Sequence, residues 1–181
     1  METIKCIKER RSVRKFKEQK VSKDVIDSIV SAASYAPSWK NTQTTRYTVI
    51  ENPAVKEEIA SECVLDFAYN AKTIVNAPQL VVASCVLGRS GFEKDGSFST
   101  SKEDRWENFD AGIAVQTFCL AAHDMGVGTV ILGIFDDGKV ARTIDLPEGE
   151  MVVALIPIGY PEGEAPNAPK RKSVEELVRY L

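Results

Sequence analysis

Histidine is almost missing from this chain: His123 stands alone among 181 residues. One imidazole cannot build a His-rich metal site, and it leaves a Cys–His pair or a hydrolytic triad with little support. Its place in a helical pattern reads as a structural or surface position. The four cysteines, Cys6, Cys63, Cys85 and Cys119, are scattered without a CxxC pair, so neither a zinc site nor a disulfide framework is indicated. Cys85 and Cys119 lie in apolar stretches and read as small buried hydrophobes. Long apolar runs are also lacking: Met151–Ile158 is the longest, far short of a bilayer span. No apolar stretch follows Met1-Glu2-Thr3-Ile4-Lys5, so the expectation is a cytoplasmic protein with no membrane association. An excess of positive charge is missing too. Acidic residues number 26 against 23 basic ones, and the isoelectric point is about 5.4, which argues against a nucleic-acid partner. Neither a Walker sequence nor a GxGxxG fingerprint is present; Gly126-Val127-Gly128 lacks the third glycine and the preceding strand. Chemistry in such a chain is expected to come from something it binds.

Two polar constellations exceed what a packed core needs. Arg10-Arg11-Ser12-Val13-Arg14 places three guanidiniums and a hydroxyl in five residues. Such crowding costs mutual repulsion unless an anion sits among the cations, and arginine forks match phosphate geometry. The second is Ala36-Pro37-Ser38-Trp39-Lys40-Asn41-Thr42-Gln43, a loop of donors and acceptors suited to the edge of a planar heteroaromatic ring. Seen singly, the first reads as a solvated surface patch and the second as ordinary turn formers. Together they point to a phosphorylated aromatic cofactor.

The remaining pattern indicates an α+β layered domain over residues 1–181, with no repeat or linker. A short helix over 3–11 leads into the arginines. Ser22 caps a second helix with Asp24 in its first turn, and Val21 and Ile26 take the staple positions. Val25, Ile26, Ile29, Val30 and Ala33 form its apolar face, and Pro37 ends the pattern. A strand is expected over Tyr47–Ile50. Asn52-Pro53 opens a helix to about Cys63, with a further helical stretch to Asn70. Gln79–Val86 reads as a strand buried on both faces. Residues 88–102 hold three glycines, four serines and mixed charge, and read either as a mobile loop or as a lid over a site. The longest helix is expected from Asp104 to Met125, with Ile113, Ala114, Thr117, Phe118, Ala121 and Ala122 on its apolar face and Gly126 beyond its end. Thr129–Leu132 is a strand, Asp137–Ile144 a helix and Met151–Ile158 a buried strand. An extended loop over Glu162–Pro169 follows. Ser173 and Glu176 fit a capping box, so the chain closes in a helix or an amphipathic arm.

The order of these signals resembles the FMN-dependent nitroreductase family, in particular its short, single-domain members. The resemblance runs nearly end to end. It rests on both constellations, on Phe109-Asp110-Ala111-Gly112 through Gly126-Val127-Gly128-Thr129, on Ile158-Gly159-Tyr160-Pro161, and on Pro169-Lys170-Arg171-Lys172. Each motif is weak alone; the five in order are specific. The likeness implies a mostly antiparallel central sheet flanked by helices and an obligate homodimer holding FMN at the subunit interface. Arg10, Ser12 and Arg171 would hold the phosphate, with Arg11 contributing through its backbone and Lys170 or Lys172 assisting. Arg14 would approach the N1/O2 edge of the flavin, where charge gathers on reduction. Pro37, Ser38, Trp39, Asn41 and Gln43 of the partner copy would flank the ring and ribityl chain. Ile131, Leu132 and Gly133 would lie along its other side, with a backbone N–H near N5. Trp39 either stacks at the site or anchors its loop at the dimer interface. The chain departs from the broader family at Thr44-Thr45, where many relatives have Pro-Trp.

The implied activity is ping-pong transfer of hydride from NADH or NADPH through FMN to a small electron-poor acceptor such as a nitroaromatic or quinone. No side-chain nucleophile is needed. Two other readings stand beside it. One is a reductive dehalogenase-like branch of the same superfamily, and the other is a flavin-binding storage or sensor dimer without turnover.

Overall fold

The computed structural model describes residues 2–164 and 167–181. Its order is α1 (Thr3–Glu9), α2 (Lys23–Ala33), a 3-10 turn (Trp39–Asn41), β1 (Thr45–Ile50), α3 (Pro53–Glu62), α4 (Ala68–Asn76), β2 (Gln79–Val86), α5 (Arg105–Asp124), β3 (Gly128–Thr129), α6 (Asp137–Thr143), β4 (Glu150–Gly159) and α7 (Val174–Leu177). The strands make one sheet in the order β1-β2-β4-β3, every neighbouring pair antiparallel. This is the expected α+β architecture.

β2 sits at the centre and is apolar on both faces because both are covered. Val81 and Ala83 pack with α2 and α5, while Leu80 and Val82 pack with α3, α4 and α6. On β4 the alternation is interrupted where the register with β2 shifts at Ala83/Ser84. The extra residue sends Ala154, Ile156 and Ile158 to the α2/α5 side while Val152 joins Leu155 on the other.

Local signals act as anticipated at several ends. Ser22 Oγ accepts from the Val25 N–H, Asn52 Oδ1 accepts from Ala54, and Pro53 opens α3. Gly126 follows α5 at φ +75°. Ser173 and Glu176 close their capping box, but α7 lasts a single turn.

Other elements differ from expectation. α4 begins at Ala68 and runs to Asn76, past Asn70, after a turn in which Leu65 and Asp66 take positive φ. Its buried residues are Asn70, Thr73 and Ile74, so polar groups occupy positions where an apolar stripe would have revealed it. The strand anticipated over Thr129–Leu132 pairs regularly only at Gly128–Thr129, and Leu132 then bridges separately to Leu155. α5 buries Ala111, Ala114, Val115, Phe118, Cys119 and Ala122; Ile113, Thr117 and Ala121 of the expected face are only half-buried. Residues 88–102 fold into a small closed hairpin. Phe92 bridges Phe98, and the Glu93 N–H donates to the Ser97 carbonyl at 2.8 Å. Of the loop expected over Glu162–Pro169, positions 165 and 166 lie outside the described residues.

Candidate functional site

The arginine run leaves α1 as extended backbone. Arg10 ends the helix, and the Val13 N–H donates to the Thr129 carbonyl at 2.9 Å, laying Ser12 beside β3 in a parallel bridge. Close approach requires a glycine opposite: a Cβ on Gly128 would stand 2.9 Å from the Val13 side chain. The strip borders a cleft of about 550 Å³ lined by Arg10, Arg11, Ser12, Arg14, His123 and Gly128 among others.

The three guanidiniums are placed differently. Arg11 donates to the carbonyls of Lys8 (2.6 Å) and Arg10 (2.9 Å), so its charge closes the end of α1. Arg14 reaches only the Ser12 carbonyl at 3.4 Å, lies 5.4 Å from the centre of the Tyr69 ring, and buries its Nε without a partner. The Arg10 guanidinium makes no hydrogen bond with a described residue. No ion pair among the described residues involves any of the three. Glu9, Glu162 and Glu164 also border the cleft, without closing on the cations. Two guanidiniums without an ion pair among the described residues, beside a hydroxyl, form a donor set that fits a phosphate monoester.

The second constellation is held in a strained shape. Lys40, Asn41 and Gln43 take φ of 45°, 57° and 48°, in the left-handed region that costs most residues energy. Hydrogen bonds impose this shape. The Trp39 N–H donates to Asp110 Oδ2 at 2.8 Å, the Gln43 N–H to Ser38 Oγ at 3.0 Å, and Arg46 Nη1 to the Gln43 carbonyl at 2.8 Å. Ser90 Oγ also donates to Asp110 Oδ2 at 2.6 Å, which leaves the Thr42 hydroxyl to donate to Ser90 at 3.0 Å. Lys40 pairs with Glu93 at 3.1 Å, bringing the 88–102 hairpin against the loop. Strain of this kind, over-determined by its surroundings, is characteristic of ligand-holding loops.

Pro37, Ser38 and Gln43 border a separate cavity of about 620 Å³ between α2, β1 and α5. Thr44 Oγ1 and Tyr47 OH beside it are buried and have no hydrogen-bond partner among the described residues, and burial pushes the Tyr47 hydroxyl well above its ordinary pKa. Trp39 faces the other way, packing on Trp106 at 4.9 Å between ring centres, and Trp106 in turn meets Phe109.

Ile131 and Gly133 are exposed while Leu132 is buried in the core. The Leu132 N–H donates to the Leu155 carbonyl at 2.8 Å and is therefore committed to the sheet. A backbone donor to a ligand from this segment falls to Ile131 or Gly133. Lys170 and Arg171 are exposed and border neither cavity.

One copy of the chain thus unites Arg10, Arg11, Ser12 and Arg14 in one cleft. It places Pro37, Ser38 and Gln43 at another, with Trp39 and Asn41 on the same loop, and it leaves Lys170 and Arg171 in solvent. The residues that the sequence does not single out as functional are Asp110, Ser90 and Tyr69. Asp110 stands in the Phe109–Gly112 motif, but α5 also carries Glu107 and Asp124, and no local pattern marks Asp110 off from them as the anchor.

The fold is thus α+β, with a cationic cleft beside the sheet and a strained amide loop at a separate cavity. The chain belongs to the nitroreductase family, whose model matches residues 7–160. It is 31% identical over 166 residues to a Methanothermobacter thermautotrophicus protein named NADH dehydrogenase/NAD(P)H nitroreductase, covering 89% of this chain and 78% of that one. It is 27% identical to an iodotyrosine deiodinase of Nematostella vectensis, covering 98% of this chain and 74% of the relative. The fold matches an FMN-dependent nitroreductase from Clostridium difficile R20291 with a TM-score of 0.77 at 27% identity, covering 98% of both chains. No helix among the described residues is long and apolar enough to cross a membrane.

Proposed function

We propose that residues 1–181 form one FMN-binding domain, and that two copies of it make a cytoplasmic NAD(P)H-dependent oxidoreductase acting on small electron-poor acceptors. The observation that carries this reading is the pair of uncompensated guanidiniums, Arg10 and Arg14, beside the Ser12 hydroxyl in a 550 Å³ cleft. Charges left half-buried without a counter-ion call for an anionic ligand, and a mononucleotide phosphate matches their geometry.

Each group has a role in holding the cofactor. Arg10 and Ser12 bind the phosphate, joined by Arg171, with Lys170 beside it. Arg11 supplies backbone and ends α1. Arg14 stands toward the ring edge, where a cation favours the reduced flavin. Pro37, Ser38, Trp39, Asn41 and Gln43 of the other copy close over the ring, and a free N–H of Ile131 or Gly133 faces it from behind Leu132. Bound there, FMN supplies hydride acceptance from a nicotinamide and its return to a second substrate.

A homodimer accounts for two features of the single chain. The arginine cleft and the 36–43 loop border different cavities, so a ring site using both draws on two copies. Apolar groups are also left in solvent: Phe109 on α5 is 54% exposed, and Leu177 and Tyr180 of the C-terminal arm are 70% and 89% exposed. Burial of these side chains against a second copy would remove them from water.

A second reading is favoured by the deiodinase relative and by the 88–102 hairpin clasped to the loop through Lys40 and Glu93. In it the same cofactor site reductively removes halide from an aromatic ring, with two electrons and a proton replacing a carbon–halogen bond by carbon–hydrogen.

The test is anaerobic. Protein refolded with FMN is expected to be a yellow dimer, bleached by NADH or NADPH and recoloured by a quinone or nitroaromatic. A colourless protein overturns the cofactor assignment. Yellow protein unmoved by either nicotinamide makes the chain a flavin-binding dimer without turnover. Recolouring by halophenols alone, with halide release, favours the second reading.

A further inference from the structure

His123 lies on the last turn of α5 and lines the same cleft as Arg10, Ser12 and Arg14. Its Nε2 is buried, and it has neither solvent nor a hydrogen-bond partner among the described residues. A buried ring nitrogen without a partner is uncommon enough to require a reason. Packing gives none: an apolar side chain would fill the same half-buried position at the end of an otherwise apolar helix without desolvating a polar atom.

The surroundings determine which form of the ring is present. Burial and then the neighbouring Arg10 guanidinium hold its pKa below the ordinary value, against weaker opposing effects of Glu9 and Asp124. The ring is therefore neutral at neutral pH, with one nitrogen protonated. A neutral N–H adds a donor to a cationic cleft without adding to the repulsion among its arginines. That is also the part played by the Ser12 hydroxyl.

We propose that His123 is a further phosphate-binding residue, its Nε2–H donating to a phosphate oxygen that Arg10 and Ser12 bring into the cleft. The inference rests on the FMN reading above and extends it to a residue outside the arginine motif. Because Nε2 is closed to solvent in the single chain, the ring turns toward the cleft as the oxygen arrives, and the new acceptor relieves the cost of the unpartnered nitrogen. Riboflavin, which has the ring and the sugar alcohol but no phosphate, gains nothing from this contact.

The experiment compares FMN and riboflavin on the whole protein, using quenching of flavin fluorescence for wild type, His123→Ala and His123→Gln. Loss of one hydrogen bond to a charged group predicts a Kd for FMN raised roughly tenfold to a hundredfold in His123→Ala. The riboflavin Kd is expected to stay unchanged, and His123→Gln, which keeps a donor, recovers most of the loss. Because the chain has one histidine, 15N NMR of the imidazole gives an independent readout on unmutated protein. The Nε2 resonance should move with FMN and stay in place with riboflavin. An FMN Kd within twofold of wild type in His123→Ala, or equal losses for both flavins, overturns the role of His123 and leaves the cofactor reading intact. Wild type that binds FMN no more tightly than riboflavin overturns the phosphate site itself.

Discussion

The backbone N–H of Trp39 donates to Asp110 Oδ2 at 2.8 Å across 71 positions of sequence. The same oxygen accepts from Ser90 Oγ at 2.6 Å, so one buried carboxylate ties the 36–43 loop and the 88–102 hairpin to α5. Asp110→Ala leaves a half-buried amide and a buried hydroxyl without their acceptor. The expected loss is about 2–3 kcal/mol of unfolding free energy, read as a lower urea midpoint. Fluorescence of Trp39, which packs on Trp106, should report loosening of the loop. An unchanged midpoint and spectrum would remove Asp110 as the anchor.

Arg10 and Arg11 are adjacent and should behave oppositely. Among the described residues Arg10 has no partner to lose, so Arg10→Ala is expected to weaken FMN binding by tenfold or more while leaving the melting temperature close to wild type. Arg11 closes α1 through the carbonyls of Lys8 and Arg10. Arg11→Ala should cost about 0.5–1 kcal/mol of stability and little affinity. Parallel calorimetry and cofactor titration separate the two, and a reversed pattern would overturn the assignment.

Arg171 and Lys172 are both exposed in the single chain, so the surface alone does not rank them. On the proposed dimer, Arg171→Ala weakens FMN retention more than Lys172→Ala, because a phosphate fork outweighs a screened surface charge. Equal dissociation constants would take Arg171 out of the phosphate site. For Arg14→Ala, spectroelectrochemistry is expected to find FMN still bound at a lower midpoint potential.

Glu107 gives a pH dependence with a definite sign. Its carboxylate is buried and accepts the Gly88 N–H at 2.6 Å. Desolvation outweighs the backbone hydrogen bonds and raises its pKa above the ordinary 4.5. The folded state therefore favours the protonated form. That contribution is complete below about pH 4.5 and is lost as pH rises through the folded pKa. Glu107→Gln, which keeps an acceptor without the charge, should be more stable than wild type at pH 7–8. The difference should close toward pH 4. Denaturant titrations at several pH values check this, and a variant less stable than wild type at pH 8 would contradict it.

Much of the fold was legible because it rests on local chemistry. Ser22, Asn52-Pro53 and Gly126 mark helix ends through hydrogen bonds and φ preferences that act within a few residues. The uninterrupted apolar run of β2 announced a strand covered on both faces. α4 was not legible, since Asn70 and Thr73 are buried by partners elsewhere in the chain, Asn70 donating to the Ile134 carbonyl. The 88–102 hairpin read as a loop or lid because its order depends on Glu107, Asp110 and Lys40, none of which periodicity links to it.

For the site, sequence alone determined which chemistry was available: three guanidiniums crowded into five residues, a loop of amides, and a single histidine that leaves redox work to a bound group. Those are properties of composition and short spacing. Tertiary structure decided how each group is used. It spent Arg11 on a helix end, left Arg10 and Arg14 open to a ligand, and committed the Leu132 N–H to Leu155. It also turned His123 from a helical position into a lining residue of the arginine cleft. The reason is physical: whether a polar group is free depends on which distant atoms reach it within 3.5 Å, and no local pattern records that distance.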